Sequence, residues 1–196
     1  MKRQNNTILS LFRSKQTVFT SKDIPMLLGE TNSKNLKARL HYYVKKNVLY
    51  SIRKGIYAKD KNYDRLELAN RIYTPSYISL ETVLAKEGII FQYYDSIFVV
   101  SYLSREIACD GQKYIYKKIR DVTLTNTLGI VVKGNYYIAT KERAFMDAIY
   151  LYKDYYFDNL SSLNWRKCRE LLPAYGSKAL AKRLESYYQI YKDAQS

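Results

Sequence analysis

The chain has 196 residues, a 47% hydrophobic fraction and a formal charge of +15, so it reads as a globular protein with a polyanionic partner, nucleic acid before membrane. Two cysteines, Cys109 and Cys168, and one histidine, His41, exclude a zinc finger. With no apolar run of membrane-span length and no signal-peptide h-region in MKRQNNTILSLFRSK, the expectation is a reduced, cytoplasmic protein with no membrane partner, no cofactor and no metal. Residues 1–60 carry 13 Lys/Arg against 3 Asp/Glu, whereas 61–196 carry 20 against 15, and that asymmetry is itself a domain signal.

In chain order, Asn5-Asn6-Thr7 is suited to cap a first helix with Ile8, Leu9, Leu11 and Phe12 as its apolar positions. Val18-Phe19 is a short apolar piece. Thr20 or Ser21 then caps a second helix over 22–28, with Pro25 in its first turn and Gly29 after its end. A third helix runs to about residue 47. Its Leu36, Leu40, Tyr43 and Val44 share one face, and Lys34, Ala38, His41 and Lys45 the other, flanked by Lys37 and Tyr42. Residues 49–52 and 56–59 read as two strands joined by Arg53-Lys54-Gly55.

Three small helices followed by a two-stranded wing predict a winged helix-turn-helix. In that arrangement the third helix enters the major groove by its N-terminal residues. The DNA-facing candidates are Ser33, Lys34, Asn35, Lys37 and His41, with Arg53 and Lys54 at the wing tip. A solvated basic face on a protein-binding winged helix is the competing reading. His41 has no second histidine and no nearby Cys or Ser to form a catalytic dyad. Leu66, Leu68, Ala69 and Ile72 are spaced for a linking helix, which places a domain boundary at 75/76.

Residues 76–196 read as an α+β domain, an antiparallel sheet with helices on one side. A short helix over 80–87 precedes strands at 97–102, 113–119, 128–132 and 136–140, the last two joined by Lys133-Gly134-Asn135. Thr140 caps a helix whose buried stripe is Ala144, Phe145, Ala148, Ile149 and Tyr152; helices over 165–172 and 177–192 follow. No Walker loop, GxGxxG, HExxH or GxSxG occurs, so no catalytic residue is assigned and an enzyme is not expected. Glu142, Arg143 and Asp147 form the best candidate cluster. Arg143 sits in a first helical turn against the dipole, so bonding of neighbouring carbonyls, partner binding and an acid/base pair all stay open. The C-terminal basic residues, among them Arg166, Lys178 and Lys182, are either solvated helix faces or a second contact surface.

The layout resembles the AbiEi family of antitoxins from bacterial type IV, abortive-infection toxin–antitoxin systems. The residues that carry the likeness are Lys54-Gly55-Ile56-Tyr57 and Tyr77-Ile78-Ser79-Leu80-Glu81-Thr82-Val83-Leu84 with Gly88. Tyr114-Ile115-Tyr116-Lys117 and Ala139-Thr140-Lys141-Glu142-Arg143-Ala144 with Asp147 complete it. The resemblance implies an N-terminal domain that represses its own operon by binding inverted repeats in promoter DNA, with two copies meeting there. It implies a C-terminal domain that counters a nucleotidyltransferase-like toxin, and it makes Glu142, Arg143, Asp147, Arg166, Lys178 and Lys182 candidates for antitoxin function. A plain regulator with a ligand-sensing or dimerising second domain, and an enzyme that modifies the toxin, are the alternatives.

Overall fold

A computed structural model describes residues 2–28 and 33–195, with side chains over 8–27 and 36–195. Helix α1 spans Lys2–Arg13, so it begins before the expected Asn5–Thr7 cap. Strand β1 (Val18–Thr20) leads into α2 (Asp23–Leu28). The turn between them is a reciprocal box: the Thr20 N–H donates to Asp23 Oδ2 at 2.8 Å, and the Asp23 N–H donates back to Thr20 Oγ1 at 3.3 Å. Helix α3 (Ser33–Lys45) follows, then β2 (Tyr50–Arg53) and β3 (Ile56–Ala58). The short apolar piece at Val18-Phe19 is thus a strand, pairing antiparallel with β3, and the three strands form a sheet in the order β1-β3-β2. Leu36 and Leu40 of α3 pack on Leu11, Phe19, Ile24 and Leu49, which gives this part its own small core.

Helix α4 (Arg65–Ile72), capped by Asp64, joins the first part to a second sheet rather than hanging between them. Its buried Glu67 accepts from the Thr17 N–H at 2.9 Å and from Thr17 Oγ1 at 2.7 Å. Val18, Ile56 and Ala58 belong to the same apolar core as Leu68, Ala69, Tyr77 and Tyr116, so one face of the first sheet is buried against the second part.

The second part contains β4 (Ser76–Ile78), α5 (Glu81–Lys86), β5 (Ile97–Ser101), β6 (Arg105–Cys109) and β7 (Gln112–Lys118). It continues through α6 (Asp121–Leu124), β8 (Ile130–Lys133), β9 (Tyr136–Ala139), α7 (Lys141–Leu151), α8 (Trp165–Leu171), a 3-10 turn over Leu172–Ala174, and α9 (Lys178–Asp193). The architecture is α+β. The expected antiparallel sheet is corrected, however: the six strands run β6-β7-β5-β4-β9-β8, with β5/β7 and β4/β9 parallel. Alternation along a strand reports its two faces and says nothing of its direction, so the sequence pattern held no evidence on this point. Helices also cover both faces rather than one. The Tyr116 hydroxyl donates to the Ala69 carbonyl of α4 at 2.7 Å, while Tyr77 turns the other way to the Asp147 carboxyl of α7 at 3.2 Å. As a result α7 is enclosed along Glu142–Ile149, wider than the predicted stripe.

Candidate nucleic-acid interface

The small core fixes which side of α3 is free. With Leu36 and Leu40 buried, Lys37, Ala38, His41 and Lys45 are exposed. Ser33, Lys34 and Asn35 start the helix, and their side chains lie outside the described residues. Arg53 and Lys54 are exposed at the β2–β3 tip, where Gly55 takes φ +80°. The Gly55 carbonyl accepts from the Ser21 N–H at 2.8 Å, tying this hairpin to the start of α2. Among the described residues, none of Lys37, His41, Lys45, Arg53 and Lys54 forms an ion pair.

A second tie was not foreseen. The β6–β7 turn, Asp110-Gly111, reaches the β2–β3 hairpin. Asp110 accepts from the Tyr50 hydroxyl at 2.8 Å and the Tyr63 hydroxyl at 2.7 Å, and the Asp110 carbonyl accepts from Arg65 Nη1 at 2.8 Å. Hydrogen bonds from Tyr63 and then Tyr50 hold the Asp110 carboxyl below its ordinary range. Its ionised form is therefore favoured by folding, and the tie is complete at neutral pH. It is lost as pH falls from about 4 through the lowered pKa. Asp110→Ala is expected to speed amide exchange at 50–53 at neutral pH without loss of the overall fold, as measured by hydrogen exchange.

The Glu142, Arg143 and Asp147 cluster lies in the interior. Arg143 and Asp147 are both 0% exposed and paired through Nε and Oδ1 at 3.3 Å. Arg143 Nη1 donates to the Leu128 carbonyl and Nη2 to the Thr123 carbonyl, each at 2.8 Å, while the guanidinium lies over the rings of Tyr77 and Tyr175. Asp147 also accepts from Ser79 Oγ at 2.8 Å and the Tyr175 hydroxyl at 2.6 Å. Burial pushes the Asp147 carboxyl up, opposed by Arg143 and then by the hydroxyls of Tyr175, Ser79 and Tyr77. Gly129, at φ +72°, passes so close that a Cβ there would lie 2.8 Å from Arg143 Cβ. Glu142 is buried as well. Arg143 and Asp147 are therefore enclosed and paired, and they hold β4, α6, the 125–129 loop and α7 together. The Ser79-Leu80-Glu81 stretch is interior too: Ser79 is in this network, and Glu81 is buried beside Tyr152, Lys117 and Tyr155.

The C-terminal basic residues divide. Arg166 is exposed and pairs with Glu170 at 3.1 Å, and Lys178 and Lys182 are exposed. Arg183 instead donates to the Ile149 carbonyl at 2.7 Å, closing the end of α7. Cys109 and Cys168 are both buried free thiols, the latter pushed up to about 12 by burial. Among the described residues there is no group of three or more His, Cys, Asp or Glu fit to hold a metal, and no helix is long and apolar enough to cross a membrane.

No family model matches the sequence, and no curated protein matches it. Among solved structures, the chain is similar to the RV2827C protein from Mycobacterium tuberculosis at 13% identity. The match covers 95% of this chain and 72% of that one, with a TM-score of 0.47.

Proposed function

We propose that the chain is a DNA-binding autorepressor of the antitoxin kind. Residues 1–75 act as a winged helix-turn-helix: α3 enters the major groove, and the β2–β3 tip lies on the backbone or in the minor groove. Two copies occupy inverted repeats in its own promoter. The observation that carries this reading is the basic set Lys37, His41 and Lys45 on one face of α3 with Arg53 and Lys54 on the adjoining hairpin, all exposed and in no ion pair among the described residues. The antitoxin half of the proposal, action of residues 76–196 against a nucleotidyltransferase-like toxin, rests on the resemblance to the AbiEi family. The surface it leaves for that role is the exposed part of α8 and α9, with Arg166, Lys178 and Lys182.

The test has two arms. Fluorescence anisotropy of the full chain on duplex DNA from its own upstream region is expected to show log K falling by about 0.9 per phosphate neutralised as log salt rises. Weak binding with no salt dependence would sink the DNA reading. In the second arm, a neighbouring nucleotidyltransferase-like gene is induced with and without the full chain. Restored growth supports the antitoxin reading; a toxic neighbour unrelieved by soluble full chain leaves a plain regulator.

A further inference from the structure

Strand β8 is one edge of the six-stranded sheet, and no strand lies on its outer side among the described residues. Its register sets Val131 opposite Ile138 and Val132 opposite Tyr137 of β9. In an antiparallel ladder, alternate residues turn their N–H and C=O toward the neighbouring strand and the others turn them away. Two bonds fix which are which. The Thr140 N–H donates to the Gly129 carbonyl at 2.7 Å, so residues 129, 131 and 133 face β9. The Tyr137 N–H donates to Asn70 Oδ1 at 2.6 Å, away from β8. The Val132 N–H and C=O and the Ile130 C=O therefore point off the edge of the sheet, while the Ile130 N–H donates to the Thr127 carbonyl at 3.0 Å. Val131 and Val132 are 47% and 67% exposed, so the edge is open.

An edge with free backbone groups is a template for a further strand, and the side chains on its two faces select which one. Ile130 and Val132 share one face, with Tyr137 beside Val132. These three line a cleft of about 590 Å³ together with Pro75 and Leu124. No acidic residue lines it, and its cation Arg71 is engaged with Asp23 at 3.5 Å, so this face suits uncharged side chains. Val131 and Lys133 share the other face. A lone lysine there would serve to protect the edge, but the Lys86 side chain meets that of Lys133, and this contact with a like charge pushes the Lys86 pKa down. Both lysines are exposed, and neither is in an ion pair among the described residues.

We propose that β8 docks an extended segment of a partner protein in which apolar and acidic residues alternate. The segment bonds the outward groups of Ile130 and Val132. Its apolar side chains lie on Val132 and Tyr137, and its carboxylates lie at Lys86 and Lys133. A second copy of this chain is the wrong occupant, because two β8 strands meeting about a two-fold axis at Val132 would gather both copies of Lys86 and Lys133 around it. The site is independent of the DNA-binding reading.

The test uses two labelled, capped peptides, one of alternating glutamate and valine and one of alternating lysine and valine. Fluorescence anisotropy and amide NMR spectra of the full chain follow binding. The glutamate peptide is expected to bind with Kd below about 1 mM and to shift the Val132 amide signal, with the lysine peptide at least about tenfold weaker. Lys86→Glu with Lys133→Glu, both exposed, is expected to reverse that preference. Val132→Pro removes an outward N–H and leaves the β8–β9 bonds in place, so it is expected to weaken binding of the glutamate peptide about tenfold or more. Three results overturn the proposal: no shift of the Val132 amide with either peptide at millimolar concentration; equal affinity for both peptides, which leaves the lysines as edge protection; or a dimer in sedimentation that Val132→Pro abolishes, which puts a second copy on the edge.

Discussion

Asp147→Ala is expected to cost about 3–5 kcal/mol of folding stability, the range for removing one partner of a buried ion pair. Urea denaturation would measure it as a lowered midpoint at unchanged slope. The size follows from what the carboxylate holds. Its removal strands the fully buried Arg143 Nε, and it leaves the hydroxyls of Ser79 and Tyr175 without their acceptor. Asp147→Asn keeps an acceptor oxygen in place and should cost less. The sharper measurement is the cycle with Arg143→Met. If the two residues stabilise as a unit, Arg143→Met with Asp147→Leu costs clearly less than the two single losses together, because no charge is then buried alone. Additive costs would mean that Arg143 is held mainly by the carbonyls of Thr123 and Leu128 and owes little to Asp147. A loss as large as this is a substantial fraction of the total for a typical domain, about 5–15 kcal/mol. This is the physical content of the Arg143–Asp147 pair: it fastens the second part.

The helical features were the most legible in the sequence, because they repeat at short range. The buried positions of α3, Leu36 and Leu40, and the cap Thr140 follow from spacing and from a side-chain oxygen that bonds a first free N–H group. The Gly134-Asn135 turn also stands where its composition places it. What was missed depends on long-range pairing. Strand β6, Arg105–Cys109, is an edge strand with charged outward positions and little alternation, so it lacks a buried face to announce it. Its turn did carry a signal: Asp110-Gly111 is a dipeptide suited to a tight hairpin, and both residues take positive φ, +50° and +74°. Reading that turn would have located β6, though not its tie to Tyr50, which comes from a distant strand. For the Arg143–Asp147 pair, the unfavourable place of Arg143 in the first turn correctly pointed to an outside partner. Tyr77, Ser79 and Tyr175 were invisible because their sequence separations from Asp147 run from 28 to 70 residues.

Lys37→Glu with Arg53→Glu is expected to weaken promoter binding by more than about 100-fold at moderate salt. Each reversal removes one phosphate or groove contact and adds repulsion in its place. Both side chains are exposed and form no ion pair among the described residues, so the circular dichroism and melting temperature should match the parent. Single replacements divide the roles. Lys54→Ala at the hairpin tip should lower the salt slope by about 0.9 and weaken all sequences alike, as loss of a phosphate contact does. Lys37→Ala, if that side chain reaches a base edge, should relax sequence preference as well as affinity. Lys182→Glu, on the exposed face of α9, serves as the counter-test. If it leaves DNA binding within about twofold while the α3 and hairpin variants lose it, the charge asymmetry of the chain reports a single DNA surface. If Lys182→Glu costs as much as Lys37→Glu, the polyanion lies across both parts, and the placement of α3 alone in the groove is wrong. The fixed hairpin makes this decisive. Gly55 is bonded to Ser21, and Tyr50 to Asp110, so the basic tip is held in place before any ligand arrives, and a lost contact there cannot be made good by the hairpin swinging to another.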